Sequence, residues 1–379
     1  MIIEIKGVQF VNKGAELMLH AILEQLSIHL PDAEIAIPVT ALSPYEARAK
    51  LGALQKFSIR FGVVELNWIT KFLPVAFKRL SRRFGIVYEC DIDIVLDASG
   101  FAYGDQWTDA AIIRMAKEVT RYKKNGAKYI FLPQAFGPFT KKRPRKTLQK
   151  HLPSAELILA READSFKYLM DAVPNLTVVD MYPDFTNLLK GQKPKTLIND
   201  GSVIIIPNNN MVSVGNSNRS DSVESYENIL LGLGEAAKCK GNNLYILNHE
   251  GVADQKICEA LSEKLGRVEI INEKDPLAVK HILGGAKAVI SSRFHGCVSA
   301  LSQGTPCLGT SWSHKYEKLY QDYGVNEWLV TSENCNYELL IDSILSDEDA
   351  RSRIENASVK LKDKSQEMWV KVFETINRA

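Results

Sequence analysis

The sequence has no large excess of either charge. Its 47 Lys and Arg residues nearly balance 45 Asp and Glu residues, so the net charge is +2. No long block of one sign interrupts the chain. A protein that binds nucleic acid through backbone phosphates needs a strongly basic face. Nucleic acid is therefore not expected as a partner.

The sequence also has few cysteines and no long apolar run. Its six cysteines are scattered, without a Cys-x-x-Cys pair or a nearby histidine cluster, so neither a zinc site nor a disulfide framework is expected. No run of about 18 apolar residues is present to span a membrane. The strand-like run Ile2-Ile3-Glu4-Ile5 stands directly at the start, so no signal peptide is expected and the protein is predicted to be cytoplasmic.

Strand-like and helix-like segments alternate along the chain. A length of 379 residues exceeds the size at which one core usually keeps growing. The polar stretch 190–202 contains Pro and Gly and has no periodicity, which is typical of a linker. We therefore predict an α/β protein with two Rossmann-like β/α/β domains facing across a cleft, residues 1–195 and 196–379.

The segment 286–316 has the strongest site-like pattern. The apolar run 288–290 predicts a buried strand, a Ser291-Ser292 turn follows it, and a helix begins near Gly296. The free N–H groups at the start of such a helix favour an anion. Arg293 and His295 stand at this turn.

A second predicted strand, 305–309, adds Lys315 near the same sheet edge. Ligands of open α/β sheets bind at the carboxyl ends of the strands, so Arg293, His295 and Lys315 are expected to converge there. For any one of them, a structural role near a turn is the alternative.

Three other places carry candidate polar or aromatic residues. Gly14 lies in the first strand-to-helix turn, where it either lets a substrate approach or serves a tight turn. Tyr103, Asp105 and Trp107 belong to a loop suited to a sugar, since rings stack on sugar faces and Asp takes hydroxyls; a packed turn fits the same residues. His249 follows a strand and either lines the cleft or bonds the backbone.

The stretch 69–85 mixes large apolar residues with Lys and Arg. A basic amphipathic helix suits a membrane surface or a lipid-linked substrate. The alternative is an ordinary helix that turns its apolar face to the core and its charges to solvent.

Several motifs together resemble the polysaccharide pyruvyltransferase family. The most specific is Ser-Ser-Arg-Phe-His-Gly at 291–296, followed by Gly-Thr-Pro at 304–306 and Lys315. Shorter likenesses lie at 12–16, 133–138 and 160–165. Two departures stand out: Ala98-Ser99-Gly100 replaces the family's triple glycine, and Val11 and Ala15 replace Gly and Asp in the first turn.

The resemblance implies a glycosyltransferase-B-like fold and a role in cell-surface polysaccharide biosynthesis, including exopolysaccharide. The reaction would move a pyruvyl group from phosphoenolpyruvate, as co-substrate, to two hydroxyls of a lipid-linked saccharide and form a cyclic ketal. No metal or other cofactor is expected. A sugar-nucleotide-dependent glycosyltransferase or epimerase on the same plan is the alternative, and a non-catalytic sugar-binding protein is a third.

The implied chemistry assigns roles to residues. A donor with a phosphate and a carboxylate needs cationic anchors, and protonation of its methylene carbon needs an acid that titrates near neutral pH. His295 is the expected acid, with Arg293 beside it. The expected donor-binding residues are Arg161, Ser292, Arg293, Gly296 and Lys315, and the expected acceptor-binding residues are Asn12, Gly14, Glu16, Tyr103, Asp105, Trp107 and His249.

Overall fold

The computed structural model describes residues 1–61, 64–194, 201–211, 223–310, 314–330 and 336–378. The chain divides into two compact units. Unit 1 comprises Met1–Val11, Met18–Phe185 and Lys364–Ala379, and unit 2 comprises Asn12–Leu17 and Thr186–Asp363. The predicted domain boundary between residues 195 and 196 lies outside the described residues. Both units are discontinuous in the chain: residues 364–379 belong to unit 1, and the short segment Asn12–Leu17 belongs to unit 2.

The strands are short and nearly all parallel. They are β1 (Ile2–Lys6), β2 (Glu34–Pro38), β3 (Leu54–Lys56), β4 (Arg60–Phe61), β5 (Val64–Glu65), β6 (Ile86–Val87), β7 (Ile94–Asp97), β8 (Lys128–Gln134), β9 (Leu157–Ala160), β10 (Val179–Met181), β11 (Val203–Ile206), β12 (Leu244–Leu247), β13 (Ile270–Ile271), β14 (Ala288–Ser291), β15 (Cys307–Thr310) and β16 (Leu329–Val330).

The helices fill the connections between the strands. They are α1 (Lys13–His29), α2 (Tyr45–Lys50), α3 (Val75–Arg83), α4 (Asp109–Lys124), α5 (Lys142–His151), α6 (Ala163–Ala172), α7 (Val223–Cys239), α8 (Val252–Lys264), α9 (Pro276–Gly284), α10 (Phe294–Leu301), α11 (His314–Tyr323), α12 (Tyr337–Ser346) and α13 (Glu348–Asn377).

Unit 1 is built on an eight-stranded sheet in the order β10-β9-β8-β7-β1-β2-β3-β6. All of its paired strands run parallel, and Ile3 of β1 faces Ile35 on one side and Ile94 on the other. The chain builds the sheet outward in two directions from β1 and β7. The point where the strand order reverses lies between them, which is where open parallel sheets form ligand crevices.

Unit 2 is built on a six-stranded parallel sheet in the order β13-β12-β11-β14-β15-β16. Its order reverses between β11 and β14, which pair from Val203 with Ala288 to Ile206 with Ser291. Every residue of these two strands is buried. Continuous apolar runs of this kind are typical of parallel strands with helices on both faces, and the predicted α/β class is confirmed.

The basic segment 69–85 differs from the core-facing alternative. It consists of a 3₁₀ turn (Asn67–Phe72) and α3, separated by Pro74. In α3 the buried side chain is Ser81, which donates to Phe77 O (3.0 Å) and shares a hydrogen bond with the Tyr88 hydroxyl (2.8 Å). The large apolar side chains of this segment are exposed instead. The buried side of α3 is therefore polar, and its large apolar residues lie on the exposed side.

None of the helices within the described ranges is both long enough and apolar enough to cross a lipid bilayer.

Candidate functional site

In unit 2, the residues after β11 and β14 meet at the point where the strand order reverses. Ser292 follows β14, and its hydroxyl accepts hydrogen bonds from Tyr226 (2.7 Å) and Thr310 (2.7 Å). Its carbonyl accepts from Asn208 Nδ2 (3.0 Å) and from the Tyr316 hydroxyl (2.9 Å). Ser292 is fully buried. Four hydrogen bonds to Ser292 therefore hold the turn in place. A contact between Ser292 and a donor stays a prediction.

Arg293 forms the N-cap of α10, and carboxylates pair with its guanidinium. The Nη1 atom pairs with Glu250, and Nη2 lies 2.5 Å from Asp254 Oδ1. Asp254 is itself fixed, because it accepts from the backbone N–H groups of Asn209 (3.0 Å) and Glu250 (3.1 Å). Burial lowers the pKa of Arg293, but Asp254 and Glu250 outweigh burial, so its pKa is raised. The guanidinium is therefore permanently charged and already paired.

This pairing changes how Arg293 would act on an anion. The sequence suggests an open cationic anchor, whereas the structure shows a side chain only 6% exposed with two carboxylates on its terminal nitrogens. The N–H on its Nε is buried and has no hydrogen-bond partner among the described residues. Of its two carboxylate partners, Glu250 is the more open one, because its side chain is 19% exposed and that of Asp254 is fully buried.

His295 lies in the first turn of α10, against the backbone of the first strand-to-helix turn. A methyl group at position 14 would lie only 2.4 Å from His295 Nδ1. Gly14 is therefore needed because the imidazole passes so close to it. The close neighbour of Gly14 is thus a side chain of unit 2, and Gly14 is not among the glycines with positive φ. The approach of a substrate to Gly14 stays a prediction.

Asn12 joins the start of α1 to the carboxylates around Arg293. Its Oδ1 accepts from the backbone N–H groups of Gly14 (2.9 Å) and Ala15 (3.2 Å), and its Nδ2 donates to Glu250 Oε1 (3.0 Å). An oxygen bound to the first free N–H groups of a helix acts as a cap. Asn12 therefore positions the first turn of α1, and with it Gly14, relative to Arg293.

Lys13 and Glu16 lie on the first turn of α1. Neither side chain makes a hydrogen bond or ion pair with a residue that the structure describes. Burial lowers the pKa of Lys13. Burial raises the pKa of Glu16 to about 7; the nearby Lys13 lowers this pKa and Asp275 raises it further, but burial has the largest effect. A carboxyl group that titrates near neutral pH is suited to proton transfer.

The shifted pKa of Glu16 predicts a pH dependence of stability. The pKa of Glu16 in the folded state is raised from 4.5 to about 7. Its contribution to the free energy of unfolding is therefore fully present below pH 4.5 and is lost as the pH rises through 7. Glu16→Gln should therefore be more stable than the wild type at pH 8, by about 1 kcal/mol after allowance for screening by water. The difference should vanish near pH 4.5.

Thermal unfolding of both proteins from pH 4.5 to 8 measures this difference. Glu24→Gln is the control, because Glu24 is exposed on the same helix. Parallel curves for Glu16→Gln and the wild type across the whole range would contradict a raised pKa.

His249 lies just after β12 and is 4% exposed. Its Nδ1 has no hydrogen-bond partner in the described part of the chain. Burial holds the pKa of His249 well below its usual value, and Arg293, Lys13 and His295 lower it further. His249 is therefore a neutral imidazole at physiological pH and a poor proton donor.

Gly296 and Lys315 stand around the same helix start. A methyl group at Gly296 would lie 2.5 Å from Ser291 Oγ and 3.1 Å from Ile206 Cδ1, so this glycine allows α10 to pack closely on the sheet. Lys315 belongs to α11, where its Nζ lies 5.0 Å from the centre of the Phe294 ring. Lys315 therefore lies near the first turn of α10. Residues 311–313, between β15 and α11, lie outside the described ranges.

The predicted ligand-binding residues of unit 1 differ in whether their side chains already have partners in the protein. Arg161, 7% exposed, lies 3.2 Å from Asp184 Oδ2 and 3.7 Å from Glu162 Oε2. Asp105 braces its loop by accepting from the Thr140 N–H and hydroxyl, both at 2.6 Å.

Tyr103 is only 5% exposed, and its hydroxyl donates to Asp97 (2.8 Å). Its ring is packed rather than open to a sugar. Trp107 is 47% exposed, with its ring 6.4 Å from Phe101. Among these loop aromatics, it is therefore Trp107 that presents a face to solvent, and acceptor binding by either residue stays a prediction.

Sequence reasoning missed Lys13, Glu250 and Asp254. Glu250 and Asp254 are ordinary surface-type residues in the sequence, and only the fold brings them to Arg293. A weak signal existed for Lys13, which stands between the cap Asn12 and Gly14 in the first turn.

Comparison with known proteins adds a family and a fold. The model of the family described as polysaccharide pyruvyl transferase matches residues 12–314. No curated protein sequence gives a significant match.

Among solved structures, the chain is similar to a putative UDP-N-acetylglucosamine 2-epimerase from Listeria monocytogenes, with TM-score 0.60, 12% identity, and coverage of 94% of this chain and 90% of that one. A glycosyltransferase from Rickettsia africae gives TM-score 0.57 at 13% identity, covering 99% and 97%. The Anabaena protein HepE in complex with UDP gives TM-score 0.55 at 11% identity, covering 99% of both chains. These likenesses show the fold, and the predicted glycosyltransferase-B-like architecture is confirmed.

Proposed function

Because the chain belongs to the polysaccharide pyruvyl transferase family, it is a transferase, and we propose that phosphoenolpyruvate is its donor. The pyruvyl group would pass to two hydroxyls of a saccharide and form a cyclic ketal, with release of phosphate. The observation that carries this proposal is the cluster of His295, Arg293 and Lys13 at the reversal point of unit 2, in a chain of this family.

The proposed chemistry begins with a proton. Protonation of the methylene carbon of phosphoenolpyruvate makes its second carbon electrophilic. Two acceptor hydroxyls then add in turn and the bond to phosphate breaks; one hydroxyl proton passes to a protein base and the other leaves with the phosphate. His295 is the proposed acid, because it lies at a helix start that favours the donor's anionic groups. Glu16, with a pKa of about 7, is the proposed group that accepts a proton from an acceptor hydroxyl.

An unpaired cation supports an anionic donor at this place. Lys13 makes no ion pair among the described residues, and the Arg293 Nε–H is likewise unused. Burial lowers the pKa of Lys13, and a bound anion nearby would reverse that shift. Arg161 stays a predicted donor-binding residue. The reaction as proposed needs no metal or further cofactor.

Donor screening tests the proposal. Incubation with phosphoenolpyruvate and a panel of lipid-linked saccharides should release phosphate and give a product heavier by the mass of a pyruvyl ketal. Release of a nucleoside diphosphate from a sugar nucleotide would instead support the alternative glycosyltransferase or epimerase. Binding without turnover of either donor would leave a sugar-binding protein.

We further propose that the acceptor is lipid-linked and that unit 1 touches the membrane through 69–85. Six large apolar side chains of this region are between 49% and 73% exposed: Trp68, Phe72, Val75, Phe77, Leu80 and Phe84. Five cations accompany them, and no Asp or Glu occurs from residue 66 to 88. Exposed aromatic residues among cations suit an anionic bilayer.

A second copy of the chain fits this surface less well, because two such faces would bring cations together. The proposed place is the inner face of the membrane, since phosphoenolpyruvate is a cytoplasmic metabolite. The free thiols of Cys90, Cys239, Cys258, Cys297 and Cys307 fit a reducing compartment.

Vesicle cosedimentation measures the membrane contact. Each Lys or Arg near an anionic surface contributes about 1 kcal/mol, so Arg79→Gln/Arg83→Gln should weaken binding to phosphatidylserine vesicles roughly 30-fold. Added salt should weaken the wild type similarly. Lys146→Gln/Lys150→Gln, an exposed pair on α5, is the control. If both double variants sediment alike, the contact does not use α3.

A further inference from the structure

Unit 1 contains a cavity of about 510 Å³ at the carboxyl edge of its sheet. Lys6, Pro38 and Lys56 are the last residues of β1, β2 and β3, and all three line the cavity. Of the residues predicted from the sequence to bind ligands, it is Tyr103 that lines the cavity. Small-molecule sites usually measure about 300–1,000 Å³ and form at this edge of open parallel sheets.

The lining includes charged groups that neutralise one another. Lys6 Nζ donates to Glu118 and to the Tyr129 hydroxyl (2.9 Å), and Lys56 Nζ lies 2.9 Å from Glu4 Oε1. Burial raises the pKa of Glu118, but Lys6 and Lys56 outweigh it and lower the pKa to about 2. With two cations against two carboxylates, these groups are polar without surplus charge. They suit an uncharged part of a ligand.

The cavity wall combines apolar and hydroxyl or amide groups. Gln9, Thr40 and Ser58 line it, and their side chains make no hydrogen bond to the described residues. Val8 and Leu42 add apolar surface. A pyranose ring presents the same mixture of hydroxyls and C–H faces. A nucleotide base fits this lining less well, because a base usually stacks on an aromatic ring and the ring of Tyr103 in the lining is only 5% exposed.

A basic groove shares a wall with this cavity. The groove measures about 570 Å³, and Glu65 and Arg114 line both spaces. Its cations are Arg114, Lys117, Arg121 and Arg143, and its acids are Glu65 and Asp109. The lining of the groove thus carries more positive than negative charge, unlike that of the cavity.

The groove contains both fixed and available cations. Arg121 is held by Glu65 (3.1 Å) and Glu89 (2.5 Å). Lys117 and Arg143 are exposed and form no ion pair with the described residues. Asp109, the acid beside them, is paired with Lys141 at 2.7 Å. Two cations are therefore available for a phosphate, and phosphate is the group that Lys and Arg bind best.

We propose that the cavity and the groove together bind a glycosyl phosphate, with the sugar in the cavity and its phosphate against Lys117 and Arg143. That this ligand is the pyruvyl acceptor rests on the proposed function, whereas the binding of a glycosyl phosphate does not depend on it. The source we favour is a lipid diphosphate. Asn67 lines the cavity, and the next residue, Trp68, is 50% exposed and begins the apolar surface of 69–85.

Saturation-transfer NMR on the full chain tests the binding. The probes are four hexose 1-phosphates (gluco, galacto, manno and N-acetylglucosamine) and the matching methyl hexopyranosides. At least one sugar phosphate should bind, and more tightly than its methyl glycoside. Lys117→Ala/Arg143→Ala should weaken the sugar phosphate about tenfold and leave the glycoside unchanged, since a charge-assisted hydrogen bond is worth roughly 1.4 kcal/mol or more. Lys124→Ala/Lys146→Ala, exposed on the same two helices, is the matched control.

A second pair of variants tests the cavity. Thr40→Trp and Ser58→Trp place a large ring at two exposed lining positions and should abolish binding of both probes without a change in melting temperature. If no probe binds the wild type, or if binding survives both tryptophans and the loss of Lys117 and Arg143, the proposal is wrong.

Competition separates the two sources of a glycosyl phosphate. The same hexose on a short isoprenyl diphosphate should displace the sugar phosphate at lower concentration than its UDP derivative does; the reverse order would overturn the lipid assignment. Phosphate release from phosphoenolpyruvate is measured independently. A chain that binds sugar phosphates here but turns over no phosphoenolpyruvate would keep the site and refute the proposed function.

Discussion

Replacing His295 with alanine is expected to slow turnover by about 10²–10⁴-fold, the usual contribution of a positioned proton donor. Donor affinity should change little, because the proposed acid acts on a carbon atom, whereas Lys13 and Arg293 are the proposed contacts of the anionic groups. The imidazole is set by its contact with Gly14, where a methyl group would lie 2.4 Å from Nδ1. Single-turnover kinetics with donor affinity measured separately gives both quantities.

Two rival residues make this test decisive. His249 has its pKa held well below the usual value, mainly by burial, so His249→Ala should reduce turnover less than His295→Ala does. Glu16→Gln should remove the proton acceptor and flatten the acid limb of the pH profile near 7. His281→Ala, an exposed histidine of α9, serves as the control. Near-normal turnover in His295→Ala with loss in Glu16→Gln would transfer the role of acid to Glu16.

Arg293→Ala should lower the free energy of unfolding by about 3–5 kcal/mol, the cost of breaking a buried ion pair by removing one partner. The physical reason is Asp254, whose side chain is fully buried and would lose its guanidinium. This is a larger effect than for an open anchor, whose loss would weaken binding and spare folding. Urea unfolding of the wild type and variant measures it.

Two further variants show whether the lost stability comes from the buried ion pair or from replacing any arginine with alanine. Arg353 pairs with Glu327 at the surface, so Arg353→Ala should cost no more than about 1 kcal/mol. Arg293→Met/Asp254→Asn removes both charges but keeps a side-chain oxygen near the N–H groups of Asn209 and Glu250, and should recover part of the loss. Equal stability of Arg293→Ala and Arg353→Ala would show that the buried carboxylates tolerate the missing charge.

The sequence was informative wherever local patterns decide structure. Runs of buried β-branched residues identify strands such as β11 and β14, and the polar turn after β14 marks the site because parallel strands end together. The positions of Arg293 and His295 at the start of α10 follow from the same pattern. These features need only neighbours along the chain.

Partners distant in sequence could not be predicted. Arg293 and Arg161 read as free cations, but Asp254 is 39 residues from Arg293 and Asp184 is 23 residues from Arg161. Whether a cation is available depends on which acids the fold brings to it. The same holds for α3, whose apolar residues would normally predict a core-facing helix. In the structure the buried residue of α3 is Ser81, which contacts the Tyr88 hydroxyl, and the large apolar residues are exposed.

Unit 2 is discontinuous in the chain, and this limits how the protein can be divided. A recombinant fragment that starts at Thr186 would lack Asn12–Leu17, although those residues belong to unit 2. It would lose the amide that binds Glu250 and the glycine against which His295 lies. We expect such a fragment to bind donor poorly even if it folds. Adding a synthetic peptide of residues 1–30 should restore part of that binding, as in complementation between the pieces of a split enzyme.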